Sequence, residues 1–402
     1  EDGNLKFNMY NSDAWWLSQW NLNVLWGLAW PEVMDEMAAS MVQYAENGYL
    51  LPRGPSGGGY SYIMTGSPAT NLISATFQKG LLTKIDSGVA YEKVKQNLLP
   101  GGMLGDSKDI EFYTKNGYWP GNAGITLEAA FQDFALSQWA KKIGRVDDAK
   151  FFSDRSMGWK KLFNKKQNLV FPKDTAGVFM HNDPLSGAGW VEANAWQATW
   201  SLSHAIPDLA SLMGGNEILS EKLNHAFEMS KDDDFVFGYS EGYLSYANQP
   251  GCSNAHVFNH AGQPWLTQYW VRRVKEQAYG GVSPELGYGG HDEDQGQMGG
   301  VSSLMAIGLF SLKGNVDIEP RYEITSPIFD EVVIELDPKY YSGKTFTIKT
   351  HNNSKDNMYI QRVTLNGKDH DKFWFLHETF VKGGELEIIL GPEPNKNWGK
   401  AE

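Results

Sequence analysis

The helical spacing that runs through the first three quarters of the chain stops near residue 314, and a β pattern takes over. A chain divided this way is constrained to fold as a large helical body followed by a small β unit. The spacing predicts a helix over 31–44, with Val33, Met37, Met41 and Tyr44 as its stripe and Pro31 in its first turn. A second helix is predicted over 127–142, with Leu127, Ala130, Phe131, Phe134 and Trp139 on one side. A third is predicted over 147–163, carried by Phe151, Phe152, Trp159 and Phe163. Further helices are predicted over 68–79, 192–203, 216–229, 263–277 and 295–310. Between them lie Gly-rich loops at 52–60, 100–105, 186–189 and 279–290. Long loops carrying aromatic residues between helical hairpins suit a toroid of helix pairs, with the site at its loop end. No strict repeat is visible, so this is an expectation about architecture and not a solenoid.

Beyond residue 314, β-formers alternate or cluster over 322–325, 332–336, 345–350, 358–365 and 385–390. Turn dipeptides separate them, and Asn366-Gly367 is a tight-hairpin signal. These segments predict a small antiparallel sandwich over 317–402, after a helical domain over 1–313.

Composition narrows the function. The 402 residues carry 48 acidic against 35 basic side chains, a net charge of −13. Phosphate neutralisation needs clustered Lys and Arg, so a nucleic-acid partner is not expected. The short pairs Lys160-Lys161 and Lys165-Lys166 read as a solvated face. No apolar stretch is long enough to span a membrane. The single cysteine, Cys252, excludes an intrachain disulfide and a Cys-based zinc site. It is compatible with a bacterial periplasm. No signal peptide opens the chain, and Glu1 as first residue predicts a processed or trimmed N-terminus. The histidines lack zinc-type spacing, and no phosphate-binding loop or nucleophile elbow is present.

Two segments can carry acid–base chemistry. In GGHDEDQGQMGG, the acids Asp292, Glu293 and Asp294 lie between a Gly-rich loop and an apolar helix. One acid suffices for a helix cap. In an extended loop Asp292 and Asp294 share a face, which suits two carboxylates around one water or one cation. In GWVEANAWQATW, Glu192 stands at a predicted helix start among Trp190, Trp196 and Trp200. Indole walls desolvate a carboxyl and favour its protonated form, as a general acid requires. The bland reading of both segments is helix capping over an aromatic core. The tryptophans 15, 16, 20, 26 and 30, with Tyr118-Trp119 and Trp265 in or beside loops, suit the C–H faces of sugars, although large aromatics are more often core.

At these segments the chain resembles the glycoside hydrolase family 92 α-mannosidases. The resemblance runs through WWLSQWN, NGYLLPRGP, YIMTGSP, GWVEANAWQATW, ANQPG, NHAGQPWLTQYWVRR and HDEDQGQMGG. It continues into the β unit with ITSPIFDEVVIEL, FTIKTHNNSKDNMYIQRVTLNGK and GPEPNKNWG. The resemblance implies an (α/α)6 helical toroid followed by the β-sandwich, a calcium ion on sugar hydroxyls, and an inverting single displacement. It implies Glu192 as general acid and Asp294, assisted by Asp292, as the base that activates water. Asn248 and Gln249 are then the metal-side residues, and Trp15, Trp16, Asn21, Trp196, His204 and Glu293 the substrate-binding ones. The implied substrate is terminal α-linked mannose of mannan or N-glycan-type oligosaccharides. The implied location is secreted, periplasmic or at a bacterial cell surface.

The chain departs from the family pattern in places. The usual N-terminal β-sandwich is absent, so a separate or missing module is an expected partner. Asn21 stands where many members carry Asp, Gly66-Ser67 replaces Gly-Asp, and Ala205 ends the Ser203-His204-Ala205 run. Gln249 replaces a Glu, and Cys252 and Ser253 replace histidines. Two alternatives stay open on sequence. One is a carbohydrate-binding homologue that has lost catalysis. The other is a helical-toroid enzyme acting on a different sugar, lyases included.

Overall fold

The computed structural model describes residues 6–48, 50–57, 59–104, 107–283, 294 and 296–400. The helices come first: α1 (Leu22–Ala29), α2 (Pro31–Glu46), α3 (Ala69–Gln78), α4 (Ser87–Asn97), α5 (Ser107–Asn116), α6 (Ala123–Lys142) and α7 (Val146–Ser156). After them come α8 (Ala195–Ala198), α9 (Ile206–Met213), α10 (Asn216–Ser230), α11 (Val257–His260), α12 (Pro264–Gln277) and α13 (Gln297–Ile307). Two short hairpins interrupt this series: β1 (Pro55–Ser56) with β2 (Gly59–Tyr60), and β3 (Phe163–Asn164) with β4 (Leu169–Val170).

Local chemistry explains the boundaries. Pro31 opens α2, where its missing N–H costs nothing and its fixed φ suits the first turn. The buried face of α2 is Met34, Ala38, Met41, Val42 and Ala45. The predicted stripe is therefore one position out: Val33, Met37 and Tyr44 are only partly covered. Asn122 begins α6 earlier than periodicity predicts, its side chain accepting from the Ile125 N–H at 3.0 Å. α7 stops at Ser156 rather than running to 163, and a 3-10 turn (Gly158–Leu162) follows. The cause is a close crossing, because a Cβ on Gly158 would collide with the Gly117 backbone. At α13 the packing is equally close, and a Cβ on Gly300 would strike Leu22 of α1. Helices α1, α4, α5, α9 and α11 have no counterpart among the predicted segments.

The C-terminal strands are β5 (Leu309–Phe310), β6 (Arg321–Ile324), β7 (Glu331–Glu335), β8 (Thr345–His351), β9 (Tyr359–Leu365), β10 (Lys368–Asp369), β11 (Trp374–Leu376) and β12 (Gly384–Gly391), with the short helix α14 (His377–Phe380) after β11. They form a five-stranded sheet in the order β10-β9-β12-β8-β7 and a three-stranded sheet in the order β11-β6-β5. All pairs are antiparallel except β8 with β12, which run parallel. Asn366-Gly367 makes the two-residue turn between β9 and β10. Both turn residues have positive φ, 53° and 75°, as a type I′ turn requires.

The change of texture near residue 314 falls between β5 and β6, which are themselves paired. One hydrophobic cluster runs from Leu28, Met34 and Leu72 on the helices to Ile324, Ile348 and Ile388 on the strands. Hydrogen bonds cross the same seam, from Asn23 Nδ2 to Gly314 O at 2.7 Å and from Ile360 N–H to Gln268 Oε1 at 2.8 Å. A second cluster, with Trp159, Trp200, Phe227, Tyr246 and Trp270, fills the helices on the other side. The loops that carry the candidate site therefore stand on two continuous cores. Among the described residues no helix is long and apolar enough to cross a membrane.

Candidate active site

Glu192 lies two residues ahead of a helix cap but is not the cap. Asn194 takes that role for α8, its Oδ1 accepting from the Gln197 N–H at 3.0 Å. Its Nδ2 donates to Ser240 O and Gly242 O, and Gln197 Nε2 donates to Glu241 O, so the loop at 240–242 is fixed. The predicted helix over 192–203 is accordingly only the short α8 and a 3-10 turn (Thr199–Ser201). Glu192 itself holds a left-handed backbone at φ 49°. That conformation costs a non-glycine residue about 1–2 kcal/mol, so the surroundings must enforce it. Asn248 Nδ2 does so by donating to both the Glu192 carbonyl and Glu192 Oε2, each at 3.0 Å.

Asp294 repeats the arrangement. Gly296, and not Asp294, is the cap of α13, and Asp294 also has a left-handed φ, 52°. Its Oδ2 accepts from Gln249 Nε2 at 2.7 Å. Two consecutive amides, Asn248 and Gln249, thus each hold one of the two carboxylates, which lie more than 100 positions apart in the chain. Both amides are buried. Asp292 and Glu293 lie outside the described residues.

Glu192 opens into a cavity of about 600 Å³. Its other walls include Arg53, Tyr62, Met64, Met103, Asp109, Trp119 and Val191. That volume lies within the range of small-ligand pockets. Arg53 braces the cavity by donating to Gly66 O at 3.2 Å, Met64 O at 2.8 Å and Met103 O at 2.9 Å. Burial pulls its guanidinium pKa down, and the nearby Glu128 carboxylate opposes that shift. Glu128 in turn accepts from Trp16 Nε1 at 2.8 Å. Gly66 (φ 69°) makes this packing possible, because a Cβ there would meet Glu128 Oε2 and Gln132 Nε2 at 2.7 Å.

Several residues expected to bind substrate occupy other places. Trp15 and Trp16 are almost fully buried, and Trp196 packs on Tyr243 at 5.0 Å beneath the Lys222 ammonium. None of the three lines the cavity; their large apolar surface is used in the core. His204 is stacked on Phe134 and bonded to Ser156 O, and burial holds its pKa down at about 4. Its imidazole is neutral, and it does not line the cavity. Asn21 is fully buried between α1 and α13, and neither of its side-chain polar atoms has a partner among the described residues. Ser67, at a departure from the family pattern, is tied into the core by Gln132, Thr70 and Asn97. The cavity residues that sequence reasoning did not single out are Arg53, Tyr62 and Asp109, whereas Trp119, one of the aromatics expected at a loop, does line it. Arg53 stands next to Gly54 in the PRGP stretch, and Tyr62 opens the YIMTGSP stretch, four residues before Gly66.

The fit of these residues to calcium can be tested on their oxygens. Asn248 Oδ1 and Gln249 Oε1 are buried and have no hydrogen-bond partner among the described residues, since both amide nitrogens are turned to the carboxylates. Oxygen donors of this kind suit a hard cation. The pair is neutral, and among the described residues no group of three or more His, Cys, Asp or Glu could hold a metal. Donor type therefore fits calcium, with little charge behind it. Cys252, whose thiol donates to Asn248 O at 3.3 Å, is buried, and its pKa is raised by desolvation. It backs the amide pair as an uncharged group.

Comparison with known proteins places the whole chain in one family. A family model described as the glycosyl hydrolase family 92 catalytic domain matches residues 2–392. A solved family GH92 α-mannosidase from Bacteroides thetaiotaomicron superposes with a TM-score of 0.89 at 22% identity, over 99% of this chain and 52% of its own. A family GH92 inverting mannosidase from the same organism gives 0.86 at 26% identity, over 98% and 55%. A protein of Arthroderma benhamiae described as an uncharacterized secreted glycosidase is 26% identical over 385 residues, covering 85% of this chain and 47% of that protein. The chain thus spans about half the length of the relatives it matches.

Proposed function

Because the chain belongs to glycoside hydrolase family 92, we propose that it is the catalytic body of a glycosidase that removes terminal α-linked mannose from mannan or N-glycan-type oligosaccharides with inversion. The observation that carries this reading is the pair of carboxylates held by adjacent amides, one of them opening into the cavity. In the proposed reaction Glu192 gives its proton to the glycosidic oxygen as the bond to the leaving sugar breaks. Asp294, assisted by Asp292, takes a proton from the attacking water on the opposite face. A single displacement of this kind inverts the anomeric centre and needs two separate carboxyls with a water between them. Each proton-transfer partner contributes about 10²–10⁴-fold. The Asn248 donor to Glu192 and the Gln249 donor to Asp294 position the two groups before substrate arrives.

Calcium, when bound, would be held through Asn248 Oδ1 and Gln249 Oε1 and would polarise and orient sugar hydroxyls. Gln249 in place of the family's usual Glu removes one formal charge from that pair, so the ion should bind weakly. Scanning calorimetry should show a melting temperature that rises with added calcium and returns to its starting value with chelator. A melting temperature indifferent to calcium would remove the ion from the account. Secretion is proposed on the likeness to the fungal relative.

The test of the reaction is proton NMR of a mannosyl oligosaccharide digest followed in real time. Release of mannose as the β-anomer, mutarotating later to α, is the expected result. An α-anomer formed first would show retention and rule out the single displacement. Intact substrate would leave the alternative of a sugar-binding homologue.

A further inference from the structure

A second cavity, of about 330 Å³, adjoins the first and is lined by Asn11, Tyr44, Asn47, Pro55, Ser56, Tyr60 and Tyr62. Tyr62 is a wall of both. We propose that this second cavity is a subsite for a pyranose on the leaving-group side of the scissile bond, with Tyr62 as the divide. The proposal rests on the glycosidase reading and extends it to how far along the glycan the protein grips.

Three observations support it. The first is the chemistry of the lining. Tyr44, Tyr60 and Tyr62 form a run of edge-to-face rings, with centroids 6.3 Å and 6.1 Å apart. The C–H face of a sugar packs on such rings, while the Asn11 and Asn47 amides and the Ser56 hydroxyl are of the type that meets its hydroxyls. The cavity has room for one ring rather than a chain.

The second is rigidity. Tyr60 is pinned by its hydroxyl to Leu50 O at 2.5 Å, and Leu50 lines the first cavity. The β1–β2 hairpin is tied to the preceding segment by Ser12 N–H to Pro55 O at 3.0 Å and by Trp15 N–H to Arg53 O at 2.8 Å. A wall fixed in this way loses little freedom when a ligand binds.

The third is strain at the divide. Tyr62 and Met64 both have left-handed backbones, at φ 54° and 64°. Bulky residues seldom adopt that region unless the surroundings hold them there. Arg53 is the holder, through the carbonyls of Met64 and Gly66. The result stands Tyr62 up with 62% of its surface exposed, between the two cavities.

The experiment compares kcat/KM on methyl α-mannoside and on α-linked mannosides of two and three units, for the wild type, Tyr44→Ala, Asn47→Ala and Tyr62→Ala. Saturation-transfer NMR of the same sugars on each protein runs beside it. The wild type should favour the longer substrates by about 10-fold, a ratio worth one stacked ring. Tyr44→Ala and Tyr62→Ala should flatten that ratio, mainly through KM, and Asn47→Ala should lower it part of the way. Asn47 and Tyr62 are exposed, so their variants remain informative should Tyr44→Ala fold poorly. The same length ratio in all four proteins would overturn the subsite. Turnover absent throughout, with long-sugar binding lost only in the tyrosine variants, would reject the glycosidase reading and keep the subsite. Absence of both turnover and binding would reject the two together.

Discussion

The helical body and the C-terminal sheets differ in which residues bear a left-handed backbone. From β5 onward the non-glycine residues with positive φ are Asn315, Asn352 and Asn366, all asparagines. Asparagine tolerates that region through local hydrogen bonding, and turns are its usual place. In the helical body the positions are held instead by Tyr62, Met64, Glu192, Phe235, Ser240 and Asp294, along with Asn168 and Asp234. Three of these, Tyr62, Met64 and Glu192, line the first cavity. The sheets place unusual backbone where side-chain chemistry makes it cheap. The loops at the candidate site place it where a particular side chain must point in a particular direction.

Acid gives the largest test of how the two regions compare in strength. In the helical body His256 is buried and His204 half-buried, and desolvation holds both pKa values down at about 4. His377 lies against the sheets and is held at about 3 for the same reason. Each has a folded pKa below its ordinary value near 6.5, so the unfolded chain binds more protons through that interval. Their contribution is complete above pH 6.5 and is lost as the pH falls toward 4, and for His377 toward 3, on the order of 3 kcal/mol each. Glu323 behaves differently: burial alone would raise it, yet the bonded His260 imidazole keeps it down at about 2, so its contribution survives to lower pH. Melting temperatures should therefore fall steeply from pH 7 to pH 4. His204→Gln and His377→Gln should each flatten part of that slope. A flat profile in the wild type would show that these burial sites are looser than their packing implies.

A smaller effect bears on strain directly. Tyr62→Gly should raise stability by about 0.5–1 kcal/mol, because glycine takes φ 54° without a Cβ penalty. Chemical denaturation measures it. A loss of stability would mean that Tyr62 is held by contacts worth more than its strain. The matching change in the sheets, Asn366→Gly, should shift stability by only about a few tenths of a kcal/mol. A gain as large as at Tyr62 would erase the distinction between the regions.

What could be read in the sequence follows the same divide. The β9–β10 hairpin was legible because Asn366-Gly367 encodes its own turn, and the strand ends came within a residue or two of their positions. Helices α3, α10 and α12 were legible from their periodicity. The register of α2 and the end of α7 were not. The first is buried around most of its circumference, which blurs a stripe, and the second is set by a Gly158–Gly117 contact that only the folded chain contains. At the site, Glu192 and Asp294 could be proposed from residue type and resemblance. That neighbouring amides hold them could not, because the connection joins three distant loops. The tryptophans divide for a physical reason: a large flat ring fits a core as well as it fits a sugar, so Trp15, Trp16 and Trp196 are in the core while Trp119 lines the cavity.

The central claim is that Glu192 protonates the departing oxygen. It is tested most directly by kcat/KM of Glu192→Gln on two mannosides, one with an alkyl and one with a dinitrophenyl leaving group. The account predicts a loss of about 10²-fold or more on the alkyl substrate, which needs the proton, and a much smaller loss on the dinitrophenyl one, which does not. Equal losses on both would contradict it.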